Sequence, residues 1–192
     1  MNQENQLIKK IRDGNADAFS ALVKPYLATA YKTAYMVLRS REGAEDAVQN
    51  ALEDAYLSII NQMDIRNFRA WFFRLVHNRS VDLYRKNARQ PIIGLGENPE
   101  AELKLKSDSA QNLAIGRENK NEVMALIAQL EKDQRIPLLL YYFEDMSVKD
   151  ISLALDENVN TVKTRLKRGR VKLGSLMKQN KNFLLEVNTH GI

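Results

Sequence analysis

The chain has 192 residues, 44% of them hydrophobic, with a formal net charge of +5 and no cysteine. That length admits two small domains or one medium one, and the lack of thiols excludes a disulfide scaffold or a thiolate-bound metal. Glycine (8) and proline (4) are sparse and β-branched alternation is nearly absent, so an all-α fold is expected. No apolar run approaches the roughly 20 residues of a membrane span, and Met1-Asn2-Gln3-Glu4-Asn5 lacks a signal-peptide core. No membrane insertion is expected, and the expected location is the cytoplasm.

In chain order, Leu7, Ile8 and Ile11 open a helical block, followed by Phe19, Leu22 and Val23 and a long apolar-periodic stretch over 26–38. A helix over 42–60 places Ala44, Ala47, Val48, Ala51 and Ala55 on one inward face. After a break at 61–67, a further helix runs from Phe68 to about Asn87. Residues 91–118 contain Gly94, Gly96, Pro99 and Gly116 with weak periodicity, and read as a flexible, mostly extended linker with an acidic start at Glu97, Glu100 and Glu102. A second block holds helices over 123–130 and 133–143. Pro137 falls in about the first turn of the latter, where a missing donor costs little. The expected organisation is two small helical domains, 1–90 and 119–183, joined by the linker 91–118 and followed by a tail, 184–192.

Charge is segregated along this frame. Between residues 42 and 65 every charged residue is an acid: Glu42, Glu45, Asp46, Glu53, Asp54 and Asp64. Between 66 and 96 the bases Arg66, Arg69, Arg74, Arg79, Arg85, Lys86 and Arg89 face a single acid, Asp82. One helix therefore suits a basic protein surface and the next a polyanion. Phe68, Trp71, Phe72, Phe73, His77 and Tyr84 interleave with those bases, the composition of a single-strand site where unstacked bases lie on aromatic faces. Phe72 and Leu75 read as core. For Trp71, Phe73 and His77 the sequence leaves core and strand contact equally open.

The end of the chain reads as a helix-turn-helix. Ser147 and Asp150 have capping-box spacing, with Val148, Ile151 and Leu155 on one face after them. Asp156-Glu157-Asn158 makes the turn, with Asn158 as the next N-cap. Val159, Val162 and Leu166 are expected to point inward, leaving Asn160, Thr161, Thr164, Arg165, Lys167 and Arg168 outward, as a major-groove helix requires. From 158 to 185 there is no acid, although a merely solubilising helix would mix signs. A stand-alone helix-turn-helix regulator would use the same second domain, but it leaves the acidic helix beside the base-and-aromatic helix without a role. An enzyme is not expected. The histidines are His77 and His190, no phosphate-cradling glycine loop occurs, and Glu45, Asp46, Glu53 and Asp54 read as a docking face rather than a magnesium site. No cofactor and no metal are expected.

Ala44-Glu45-Asp46-Ala47-Val48-Gln49, Phe68-Arg69-Ala70-Trp71-Phe72-Phe73-Arg74-Leu75 and Asn78-Arg79-Ser80-Val81-Asp82-Leu83-Tyr84-Arg85-Lys86 resemble conserved region two of bacterial sigma factors. Tyr142-Phe143-Glu144-Asp145-Met146-Ser147 with Asn160-Thr161-Val162-Lys163-Thr164-Arg165-Leu166 resembles their region four. Two domains and a short linker are similar to the small alternative sigma factors of the extracytoplasmic-function (ECF) group, and the resemblance spans about residues 17–177. It implies a non-enzymatic initiation subunit that binds core RNA polymerase, through the clamp helices of the largest subunit and the flap of the second, together with promoter DNA and an anti-sigma factor. Carried onto this sequence, polymerase docking falls to Glu45, Asp46, Gln49, Asn50 and Glu53. Minus-ten strand capture falls to Asn61, Arg66, Phe68, Trp71, Phe73, Arg74, Asn78 and Arg85. Minus-thirty-five reading falls to Thr161, Lys163, Thr164, Lys167 and Arg168, with Arg165 and Arg170 on phosphates. The sequence departs from the family's pattern at Glu131 (usually proline), at Asp145 and Asp156 (usually glycine) and at Glu157 (usually apolar).

Overall fold

The computed structural model describes residues 3–88 and 123–189, and every regular element among them is helical. The expected linker, 91–118, lies outside the described residues. In the first domain α1 (Gln3–Arg12) and α2 (Asp17–Val23) are separated by a turn at Gly14, whose φ of +94° favours glycine. Asn15 caps α2 through Oδ1, which accepts from the Ala18 N–H at 3.2 Å. A 3₁₀ turn, Lys24–Tyr26, leads into α3 (Leu27–Leu38). Ser40 then starts α4 (Arg41–Ile60), accepting the Gly43 N–H at 3.2 Å, and Asn67 starts α5 (Phe68–Ala88).

α4 is held by small residues. Ala44, Ala47, Ala51, Ala55 and Ile59 are completely buried, so the facing backbones can approach closely. Arg12 fastens α1 to the C-terminal end of α4, donating to the carbonyls of Ile59 (3.3 Å) and Met63 (2.7 Å), where the helix dipole favours a cation. Arg79 grips Asp54 in a bidentate pair at 2.5 and 2.7 Å, fixing the register of α5 on α4. Buried hydroxyls are satisfied locally: Thr33 donates to the Thr29 carbonyl (2.8 Å) and Ser80 to that of Val76 (2.7 Å).

The second domain contains a helical segment at 123–128, then α6 (Lys132–Phe143), α7 (Val148–Leu155) and α8 (Val159–Thr189). Three expectations need correction. Pro137 is the sixth residue of α6, so it removes a bond to the Asp133 carbonyl instead of occupying an already free first turn. Val159 is 36% exposed, because the first residue of α8 projects past the end of the core that receives Val162 and Leu166. α8 also continues to Thr189, beyond the expected boundary at residue 183.

Gly169 sets the spacing between α6 and α8. A Cβ there would stand 2.7 Å from Leu138 Cδ1, 3.3 Å from its Cγ and 3.4 Å from Gln134 Cβ, and Leu138 is fully buried. Glycine-to-alanine exchange inside a helix ordinarily stabilises by about 0.5–1 kcal/mol. Gly169→Ala is expected to do the opposite, lowering stability by about 1–3 kcal/mol through overpacking. The denaturation midpoint reads the sign directly.

The two domains pack together. At the N-terminal end of α5, Asn67 Oδ1 accepts the Ala70 N–H (3.0 Å) while its Nδ2 donates to Asp150 Oδ1 on α7 (2.7 Å). Two turns along, Arg74 pairs with Asp156 at the other end of α7 (3.1 Å). The helices therefore run side by side in the same direction for about 10 Å at 1.5 Å per residue. Arg69 donates to the Glu144 carbonyl at 2.8 Å. At the far edge two arginines cross in opposite directions, Arg39 to the Ala128 carbonyl (2.5 Å) and Arg135 to the Met36 carbonyl.

Candidate nucleic-acid interface

Three surfaces carry the expected functional residues. On α4, Glu45, Asp46, Gln49, Asn50 and Glu53 are all exposed, opposite the alanine stripe that meets the core. Their spacing, i, i+1, i+4, i+5 and i+8, makes one continuous acidic and amide face. Gln49 Nε2 lies 3.5 Å from Glu53 Oε1, and Arg41 lies 3.5 Å from Glu45. Sequence reasoning missed the apolar continuation of this face. Leu57 (52% exposed) and Ile60 (40%) extend it beyond Glu53, and Met63 (50%) is exposed in the loop that follows. The signal was present as apolar residues in the outward register of an otherwise amphipathic helix.

On α5 the structure separates aromatics that composition alone could not. Phe68 (1% exposed) and Phe73 (0%) belong to the core with Phe72, gathered around Tyr26 at ring distances of 6.1, 6.2 and 6.4 Å for Phe68, Phe73 and Phe72. Their expected strand-contact role is therefore corrected: neither ring has a free face. Tyr26 is anchored by donating to Glu4 Oε1 at 2.6 Å, and burial together with that carboxylate pushes its hydroxyl pKa upward. Trp71 is half-buried against Phe68, with ring centroids 5.9 Å apart. Arg74, Asn78 and Arg85 are exposed, so Trp71, Arg74, Asn78 and Arg85 form one stripe at i, i+3, i+7 and i+14. Asn61 and Arg66 are exposed in the loop before α5, where Arg66 lies 3.1 Å from Asp64. His77 leaves this group. Burial, with Lys132 and Arg165 nearby, lowers its pKa to about 4, so it is a neutral member of the domain contact.

The helix-turn-helix forms as its caps dictate. The Asp150 N–H donates to Ser147 Oγ (3.1 Å), and that hydroxyl in turn donates to Asp150 Oδ2 (2.8 Å). Asp156 ends α7 in the left-handed conformation (φ 54°), which a short polar side chain tolerates better than a branched one. The Asn160 N–H donates to Asn158 Oδ1 at 2.8 Å, starting α8. Val162 and Leu166 face the core, leaving Thr161, Lys163, Thr164, Lys167 and Arg168 exposed. Thr164, Lys167 and Arg168 form one wall of a groove whose other wall is Glu131 and Gln134 at the start of α6.

Two bases expected on phosphates are engaged elsewhere. Arg165 makes a short, half-buried ion pair with Glu157, the acid that stands where the family has an apolar turn residue. It braces the turn instead of reaching outward. The Arg170 guanidinium lies over the Tyr141 ring at 4.6 Å and near that of Tyr142 at 6.0 Å, in cation–π geometry. Arg74 is likewise held by Asp156 across the domain contact. No cluster of His, Cys, Asp or Glu suited to a metal occurs among the described residues, and no described helix is long and apolar enough to cross a membrane.

Comparison with known proteins finds two separate family matches in the chain. Residues 22–90 match the family description "Sigma-70 region 2" and residues 120–173 match "Sigma-70, region 4". The chain is 29% identical over 170 residues to the ECF RNA polymerase sigma factor SigW of Bacillus subtilis, covering 85% of this chain and 90% of that one. It is 27% identical over 172 residues to the ECF RNA polymerase sigma-E factor of Escherichia coli K12, covering 85% and 88%. Among solved structures it shares its fold with CnrH in complex with the cytosolic domain of CnrY, at a TM-score of 0.62 and 23% identity over 93% of this chain and 99% of that one. An acidic helical face, a basic aromatic stripe and a helix-turn-helix thus lie within the two matched regions, and the chain belongs to the sigma-70 family, in its ECF group.

Proposed function

We propose that this chain gives core RNA polymerase its promoter preference by dividing three tasks among α4, α5 and α8. The observation that carries the reading is the opposition of surfaces inside one small domain. An exposed face of α4 carries acids and amides, and the neighbouring α5 stripe carries bases and a half-exposed tryptophan. The first suits a basic helical protein surface, here the clamp helices of the largest polymerase subunit, with Leu57, Ile60 and Met63 adding apolar contact at its end. The second suits the non-template strand of the minus-ten element, with Trp71 as stacking face and Asn78 as hydrogen-bonding group. α8 suits the minus-thirty-five duplex, and the second domain also supplies the contact with the flap of the second largest subunit. The protein is an initiation factor and not an enzyme, acts in the cytoplasm, and is held inactive by an anti-sigma factor. Titrating the full chain against core polymerase and scoring promoter-directed run-off transcription tests the reading as a whole. Failure to bind core would reject it.

Within α8, Thr164 and Lys167 are the expected base readers. The Thr164 hydroxyl donates to the Asn160 carbonyl (2.9 Å), leaving its oxygen as an acceptor and its methyl for apolar contact with a thymine. Thr164→Ala and Lys167→Ala should each relax preference at one promoter position by about 1–3 kcal/mol. With Arg165 and Arg170 engaged elsewhere, the phosphate contact passes to the exposed Arg168, so Arg168→Ala should weaken binding to all sequences alike and reduce the salt slope by about 1. A promoter library read with reconstituted holoenzyme separates the two patterns, and identical preference profiles for wild type and the first two variants would refute base reading.

A further inference from the structure

We propose that Glu157 and Arg165 are a positioning pair for promoter reading, a strut that sets how α8 sits in the major groove. The inference rests on the assignment of α8 to the minus-thirty-five duplex. Glu157 is bonded to both helices of the motif. Its N–H donates to the Ser152 carbonyl on α7 (3.0 Å), and its own carbonyl accepts from Ser152 Oγ (2.5 Å). Its carboxylate reaches forward to Arg165 Nη1 in the second turn of α8. Arg165 stands one residue from Thr164 and two from Lys167, so fixing its guanidinium to the turn fixes the direction in which those side chains point. Burial of Val162 and Leu166 holds α8 on the core, but apolar contact is non-directional. The charge-assisted hydrogen bond is directional. A turn of α8 by about 10° would move a side-chain tip about 1 Å at the roughly 5–6 Å radius of a helix. A base reader needs placement to within about 0.5 Å.

Two features assign the pair to geometry and not to stability. It is half-buried, with 29% of the Arg165 side chain and 23% of that of Glu157 exposed. Glu157 Oε2 is buried and has no hydrogen-bond partner among the described residues. A pair that leaves one buried oxygen unsatisfied adds little net stability, and apolar groups in place of both partners cost little. The strut also withdraws one base from an acid-free helix that meets a polyanion. Phosphate contacts supply sequence-independent affinity, so the withdrawal weakens binding to every sequence in order to hold the reading face still.

Reconstituted holoenzyme carrying Arg165→Ala should keep the wild-type dependence of promoter binding on salt. Its preference at the positions read by Thr164 and Lys167 should fall at least about threefold. A salt slope reduced by about 0.9 would place Arg165 on a phosphate and overturn the strut. Glu157→Leu should steepen the slope by about 0.9 as the guanidinium is released, and should flatten the same preferences. Adding Arg165→Ala to Glu157→Leu should return the slope to the wild-type value. Slope and preferences both unchanged in Glu157→Leu would also overturn the strut. Glu157→Leu with Arg165→Leu fills the turn with apolar groups and should leave the denaturation midpoint near that of wild type. Its preference profile should still be flattened, whereas a pair that served folding alone would leave the profile intact. If Thr164→Ala and Lys167→Ala keep the wild-type profile, the assignment of α8 fails. If they flatten it and the double leucine variant does not, the assignment stands and the strut fails.

Discussion

Asp46→Lys combined with Gln49→Ala is expected to reduce affinity for core RNA polymerase by about 2–5 kcal/mol, at least roughly 30-fold, without unfolding the protein. Both side chains are exposed on the face of α4 opposite Ala44, Ala47, Ala51 and Ala55, so the helix keeps its packing. Substitutions at such positions usually change stability by no more than about 0.5 kcal/mol. The loss comes from electrostatics. The segment carries only acids from residue 42 to 65, and a lysine at its centre places like charge against a basic partner. Titration of labelled variant against core polymerase reads the effect, with circular dichroism and a denaturation curve as the check on folding. Wild-type affinity should itself fall with added salt, since exposed charges are screened beyond about 10 Å at 0.1 M. Affinity unchanged by the double substitution would remove α4 as the docking face.

Asn78→Ala is expected to impair promoter opening while leaving closed-complex formation near normal, and Trp71→Ala to do so more severely. Stacking of a base on an aromatic ring contributes about 1–3 kcal/mol by alanine substitution, which places the Trp71 effect between roughly fivefold and 150-fold. Trp71 also packs on Phe68, so its removal disturbs the aromatic cluster as well as the strand. Asn78 is exposed and makes the cleaner comparison. Permanganate footprinting of the melted region, beside a gel-shift assay of the closed complex, separates the two steps. Normal opening by Asn78→Ala with normal polymerase binding would leave that residue without a part in strand capture.

The helices were legible where local chemistry is self-contained. Ser147 and Asn158 cap as their side chains predict, and the alanine register of α4 identifies its buried face without any knowledge of its neighbours. α5 was legible as a helix but not in its exposure. It packs against α3 and α4 on one side and α7 on another, so its apolar stripe is too wide to show which aromatics keep a free face. Phe73 and Trp71, two positions apart, therefore met opposite fates. Charge was misread where a partner sits off the helix. Arg165 looks like one more base in an acid-free run until the turn brings Glu157 against it. Pro137 and Val159 were misplaced by assuming that helix ends follow apolar periodicity, when each depends on where a neighbouring element begins.

The crossing of Arg39 and Arg135 has a consequence for how this protein tolerates sequence drift. Each guanidinium donates to a main-chain carbonyl, of Ala128 and Met36 respectively, and every amino acid supplies that acceptor. Residues 36 and 128 are therefore free to change as far as this contact is concerned, and the whole constraint falls on the two arginines. Arg135 is the more constrained of the two. It is buried, and burial and the nearby Arg39 guanidinium hold its pKa down to about 10, so a shorter or uncharged replacement leaves two carbonyls, Leu130 and Met36, without their donor. Selection acting on the domain contact would thus fall on one arginine from each side and leave the carbonyl-bearing positions opposite them free to change.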